Sequence, residues 1–202
     1  RSNVINDLFN QSSQNYIGNL KHASGIVCAH SYWTDLNWSM LSDVRTKVRI
    51  AAQNNNLKVY QTEWSMLGSG YEDAPNYDNA SYMDLALAMS KVIHQDLATA
   101  NASSWSYWTS AAPERWRQKS RFYLIRITPA DGDYGDMSKS GTYSAGKNLW
   151  VLGNYSLFVR PGYQRVDLSI PQQSKNFFGS AYLSPDKTKL VVVYTNATKK
   201  SI

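Results

Sequence analysis

The stretch "LKVYQTEWSMLG", Leu57 to Gly68, decides how this chain is read. It opens as a strand, alternating and rich in β-formers, and runs out onto Glu63 between a threonine and a tryptophan. A glutamate at a strand end has two readings. One is a solvated carboxylate, the common fate of this residue. The other is a carboxylate held rigidly in a cleft. The flanking segments separate the two.

Upstream, "SGIVCAHSYW" reads as a buried strand over Ile26 to Ala29 ending in polar and aromatic residues. "TDLNWSMLSDVRTKVRIAAQNNN" then has helical spacing. Leu41, Val44, Val48 and Ala51 or Ala52 share one face, and Arg45, Lys47 and Arg49 fall mostly off it. Thr34 or Asp35 is placed to cap this helix, and the Asn run at 54–56 ends it. Downstream, a loop with Gly68, Gly70 and Pro75 leads into "NASYMDLALAMSKVIHQDLATA", a second helix with Leu85, Met89, Val92 or Ile93, and Leu97 inward. "ASSWSYWTS" is a third strand. Strands and helices alternating at this spacing predict consecutive βα units and a parallel sheet. In barrels built this way the active site lies at the C-terminal strand ends. All three strands end in residues suited to chemistry: His30, Tyr32 and Trp33; Glu63 and Trp64; Trp105, Tyr107 and Trp108.

After Ser110 the pattern changes. "RFYLIRI" is a strand candidate, "TPADGDYGDMSKSGTYSAG" a polar loop, and "KNLWVLGNYSLFV" a helix stopped by "RPG" at Arg160 to Gly162. "YQRVDLSI", "NFFGSAYLS" and "KLVVVYTN" follow, with "SPDKT" as a hairpin turn. They predict an antiparallel β domain beginning near Pro161.

Composition narrows the function classes. With 202 residues, 43% hydrophobic and 18% charged, the chain can bury a core. Seven Trp and fourteen Tyr offer apolar faces with hydrogen-bonding edges, suited to amphipathic ligands as well as to a core. The net charge of +6 is scattered, with small clusters at "RWRQKSR", Arg115 to Arg121, and "TKK" near the C-terminus. No nucleic-acid-binding motif accompanies it. A nucleic-acid role predicts affinity that falls steeply with salt, whereas neutral-sugar binding barely changes. The single cysteine, Cys28, rules out an intrachain disulfide and a Cys-based metal site, and His22, His30 and His94 lack metal-ligand spacing. No apolar run approaches membrane-spanning length; the best is "LVVVY" at 190–194.

Several of these stretches resemble glycoside hydrolase family 30. "QTEWSMLG" resembles its nucleophile strand, and "LWVLGNYSLFVRPGYQRV" its last barrel helix and the passage into its side β domain. "AHSYW" and "SSWSYW" look like the preceding and following barrel strands, in the right order. The "TEWSML" wording looks closest to bacterial members grouped with endo-β-1,6-galactanases. The resemblance implies an α/β fold: the C-terminal part of a (β/α)8 barrel over residues 1–160, followed by part of a β-sandwich side domain over 161–202. It implies a retaining glycosidase of β-linked glycans, secreted or periplasmic, that works with two glutamates and no metal or cofactor.

One departure stands out. Family members carry the acid/base Glu in an Asn-Glu-Pro-like motif on an earlier strand. This chain has three glutamates, Glu63, Glu72 and Glu114, and no Asn-Glu dipeptide. It reads as an internal piece of a catalytic module that needs the N-terminal half of the barrel, in the same parent chain or as a second chain.

The resemblance makes Glu63 the nucleophile. Retention needs two carboxyl groups roughly 5–5.5 Å apart, one attacking the anomeric carbon and one protonating the leaving oxygen. His30 and Tyr32 alternate with Cys28 and are candidates to line the cleft. Their plainer reading is a hydrogen-bonded pair at the core's rim. Trp105 and Trp108 have opposite strand parity, so one is expected to form a sugar platform and the other to pack; Trp108 is preferred for the platform. Trp64 should point away from Glu63, and Glu72 and Glu114 should be solvated loop residues. The alternative function is a non-catalytic carbohydrate-binding protein retaining the aromatic cleft. An Asn-Glu-Pro-like strand end upstream would favour the enzyme.

Overall fold

The computed structural model describes residues 2–76, 78–115, 119–132, 134–136 and 138–198. Part of the basic "RWRQKSR" cluster and the "TKK" lysines lie outside them. The fold is mixed α/β, with three sheets of three strands among the described residues.

The first sheet carries the Glu63 strand. β1 (Ile26–His30), β2 (Lys58–Glu63) and β3 (Ser104–Trp105) lie side by side and parallel, in that order. Helix α1 (Ser2–Phe9) precedes them. Helix α2 (Trp38–Asn54) connects β1 to β2, and α3 (Tyr82–His94), prolonged by a π-helical turn over Gln95–Thr99, connects β2 to β3. These are the βα units expected from the spacing. The third strand is shorter than "ASSWSYWTS" suggests, but its backbone continues beside β2: Ser103 N–H donates to Val59, Ser106 to Gln61 and Trp108 to Trp64.

The helix ends show local chemistry at work. Asn37, not Thr34 or Asp35, caps α2, accepting from Met40 N–H at 2.9 Å. Thr34 instead binds Arg45, and Asp35 accepts from the Trp64 indole and the Tyr71 hydroxyl, each at 2.7 Å. Ser81 and Asp84 form a capping box on α3. Asn55 and Asn56 end α2, Asn56 in the left-handed region at φ 53°.

Charged residues correct the predicted faces. Arg45 is buried at 3% exposure and pairs with buried Asp96 at 2.8 Å, while Val44 and Val48 are only half-buried. Lys91 is buried too, paired with Asp73 at 2.6 Å. Neither glutamate outside the first sheet is simply solvated. Glu72 accepts from Trp38 N–H, at the first turn of α2, and pairs with Lys175, which holds its carboxyl below the usual range. Glu114 pairs with Arg126 at 3.2 Å.

The second sheet differs in part from the sequence expectation. β4 (Ala111–Pro113) runs parallel to β5 (Ile125–Pro129), which pairs antiparallel with β6 (Gly141–Ala145). β6 falls where a polar loop was expected, because its five exposed residues carry no apolar alternation. Helix α4 (Lys147–Ser156) leads to the third sheet: β7 (Gln164–Val166), β8 (Phe177–Leu183) and β9 (Leu190–Asn196), all antiparallel. The β8–β9 turn contains "SPDKT", as expected.

One apolar core joins these parts. Trp64 and Met66 beyond β2, Leu85, Met89, Val92 and Ile93 of α3, Tyr155 of α4, and Tyr182 and Val193 of the third sheet form one buried cluster. His94 extends the contact. Its ring packs against both Trp38 (centroids 5.8 Å) and Phe178 (4.7 Å), which also touch each other, at 3% exposure.

Burial pushes the His94 imidazole from 6.5 down to about 4. The unfolded chain takes up this proton as pH falls through 6.5, but the native state holds out until about pH 4. This contribution to stability is therefore complete above the unfolded value and declines across that window, by roughly 3 kcal/mol. His94→Phe should flatten the pH dependence of unfolding free energy between pH 4 and 6.5, measured by urea denaturation. An unchanged slope would assign the acid sensitivity to other groups.

Candidate active site

β2 delivers Glu63 to the C-terminal end of the first sheet, and a register shift sets its level. Ala29 pairs with Gln61, but the next residue of β1, His30, pairs with Glu63. Thr62 is the extra residue of this bulge, a device that re-aims side chains beside active sites. Buried Val59 and Gln61 anchor the strand below, while the Glu63 side chain stays 35% exposed.

Two residues from the end of β1 meet that carboxylate. The Tyr32 hydroxyl donates to Glu63 Oε1 at 2.8 Å. His30 Nδ1 lies 3.6 Å from the same oxygen, beyond a good hydrogen bond but within electrostatic reach. The His30 and Tyr32 rings meet edge to face, with centroids 5.6 Å apart. Burial and the neighbouring carboxylate push the Tyr32 phenol up to about 12, so it remains a donor at neutral pH.

The two tryptophans of the third strand part company. Trp105 turns inward: its indole N–H donates to Asp96 at 2.9 Å, and its ring packs near Trp64 and Tyr107. Trp108 is 48% exposed, and its N–H donates to the carbonyl of Trp64, the residue after Glu63. The geometry thus brings Glu63, Tyr32, His30 and Trp108 to one end of the sheet and carries the Trp105 indole beneath it. Trp64 is buried with its N–H on Asp35, pointing away from Glu63 as its parity requires.

Sequence reasoning missed the layer below. Asp96, in the π-helical turn, accepts from Arg45 Nε (2.8 Å), Ser31 Oγ (2.8 Å) and the Trp105 indole. Arg45 also donates to the Thr34 carbonyl and hydroxyl, at 2.9 and 2.6 Å. The ends of β1 and β3 are thereby locked together behind Glu63. Arg45 and Asp96 lie on separate surface-like helical stretches, and their separation in sequence gave no sign of pairing.

Among the described residues, no group of three or more His, Cys, Asp or Glu side chains could hold a metal ion, and no helix is long and apolar enough to cross a membrane. A carboxylate held by a phenol at 2.8 Å, with an imidazole nearby, can act as a nucleophile or accept sugar hydroxyls.

The model of O-glycosyl hydrolase family 30 matches residues 1–120, more than half of the chain. The chain belongs to glycoside hydrolase family 30. This family-30 chain is 29% identical over 126 residues to glucuronoxylanase XynC of Bacillus subtilis, and 28% identical to XynC of strain 168. In each case the match covers 61% of the chain and 24% of the relative, so the chain spans about a quarter of the length of the curated relatives it matches. A conserved exported protein from Bacteroides fragilis has a similar crystal structure, with a TM-score of 0.81 and 26% identity over 98% of this chain and 40% of that one.

The Tyr32–Glu63 contact predicts a titration effect. Glu63→Gln removes the negative charge that helps raise the Tyr32 phenol, while burial remains. The Tyr32 midpoint should fall from about 12 but stay above the ordinary 10, followed by NMR of ring-labelled tyrosine. A midpoint unchanged by the substitution would disprove the contact.

Proposed function

We propose that the chain is the C-terminal part of a retaining glycoside hydrolase that cleaves a β-linked polysaccharide or oligosaccharide. The observation that carries this reading is Glu63 at a strand end, with its carboxylate accepting from Tyr32 at 2.8 Å and with His30 nearby at 3.6 Å. A nucleophile must keep its place, and a strand end with a phenol donor meets that need. Trp108 supplies the floor on which a sugar ring stacks. Trp105, with its N–H committed to Asp96, supports that floor from below.

In this proposal the first sheet and its helices belong to a (β/α)8 barrel over residues 1–160, and 161–202 begin a β-sandwich. A parallel sheet is ordinarily covered on both faces, yet Cys28, His30 and Thr62 are exposed here. The N-terminal half of the barrel would cover them and bring the acid/base glutamate. By itself the chain should be inactive and prone to associate through its uncovered sheet edges. Kinship with a glucuronoxylanase supports a polysaccharide substrate, and the sequence resemblance supports endo action on a β-1,6-galactan, xylan or glucan. The exported relative supports a secreted or periplasmic site of action. No cofactor, nucleic acid or membrane is required.

The test uses the intact protein. Glu63→Gln should lower turnover by several orders of magnitude while leaving glycan affinity within about tenfold. Glu63→Ala should lose activity and regain part of it with azide, giving a glycosyl azide of inverted configuration. Near-normal turnover of Glu63→Ala would mean that Glu63 is structural, whereas absence of turnover in the unsubstituted protein, with glycan binding retained, would favour the non-catalytic carbohydrate-binding reading.

A further inference from the structure

Trp33 follows Tyr32 and has no role in the site described so far. Two features make it unusual. It is 68% exposed, among the most exposed large hydrophobic residues of the described chain. Its backbone lies in the left-handed region, at φ 63°. A bulky residue rarely adopts that conformation, and glycine would adopt it freely. An exposed indole in an unfavourable conformation gains little from burial to offset the strain.

The turn that imposes this conformation is firmly held. Arg45 donates to Thr34 O at 2.9 Å and Thr34 Oγ1 at 2.6 Å, with a longer contact of 3.5 Å to Ser31 O. It therefore grips the chain on both sides of Trp33. Asp96 fixes Arg45 and Ser31 in turn, each at 2.8 Å. Tyr32, between Ser31 and Trp33, spends its hydroxyl on Glu63. The backbone at Trp33 is over-determined by buried polar contacts, while no described part of this chain covers its side chain. Strain maintained in this way is characteristic of functional sites.

We propose that Trp33 is a second glycan-stacking platform of the Glu63 site, presented from the end of β1 as Trp108 is from the third strand. The proposal rests on the glycosidase reading of Glu63. The two indoles belong to segments on opposite sides of β2, so a chain of β-linked sugars seated over Glu63 would have an aromatic contact to either side of the reacting bond. Trp33 would then govern extended substrates more than the chemistry itself, as a specificity-determining residue.

Strain gives the test its power. In the intact protein, Trp33→Gly removes the ring and relieves the backbone together. Its thermal midpoint should rise by about 2–4 °C. In a Glu63→Gln background, calorimetric affinity for xylohexaose or β-1,6-galactohexaose, whichever that protein binds, should fall roughly tenfold. Trp33→Phe keeps a platform and should stay within about threefold. In the Glu63-intact protein, Trp33→Gly should raise KM for the hexasaccharide with little change in kcat. Unchanged affinity in Trp33→Gly, or a lowered midpoint showing that the indole packs structurally, would overturn the assignment. Failure of the reading it rests on is seen separately: Glu63→Gln would retain turnover if Glu63 is not the nucleophile, and the unsubstituted protein would show none if it is not a glycosidase, whatever Trp33 does. Absence of binding to both hexasaccharides would overturn the platform for either glycan.

Discussion

The buried Arg45–Asp96 pair is the contact on which the rest of the site depends. Both residues are almost wholly excluded from water. Desolvating two charges is costly, and their attraction offsets that cost only when the remaining hydrogen-bonding groups are satisfied. Here they are used fully. Asp96 accepts from an arginine, a serine and an indole, and Arg45 reaches on to Thr34. The partners come from the ends of β1 and β3 and from α2. A hydrophobic pair could fill the same volume, but it would not fix the angles of three separate backbones.

Glu63 lies on β2, between the two strands so fixed. Its position follows from neighbours on each side: the His30 and Tyr32 side chains from β1, and the backbone ladder that carries Trp108 past Trp64. The bulge at Thr62 makes Glu63, and not Thr62, level with His30. One extra residue in the ladder thus decides which side chain meets the phenol.

A second set of polar contacts anchors the loop after β2. Asp73 pairs with buried Lys91, and Glu72 joins the start of α2 to Lys175 beside the third sheet. Asp35 ties Trp64 to Tyr71. The loop downstream of the candidate nucleophile is therefore braced by ionic contacts to α3 and to the β-rich C-terminal region, over the core that those elements share.

The sequence by itself determined the βα order of the first sheet, the antiparallel strands of the third, and Glu63 as the residue to watch. Periodicity reports which face of an element is apolar, and a strand that stops on a carboxylate among aromatics is visible without coordinates. The family wording around "QTEWSMLG" and "LGNYSLFVRPGY" carried the rest of that reading. Local pattern could not show Arg45 and Asp96 as a buried pair, because each looks like an ordinary surface charge on its own helix. Nor could it show β6, whose exposed residues lack alternation, or the bulge at Thr62, which is a property of two strands together. Strand parity separated Trp105 from Trp108, but only the tertiary structure gave one indole to Asp96 and left the other in solvent. Burial of charge and register between strands are relations between distant segments, and they exist only once the chain has folded.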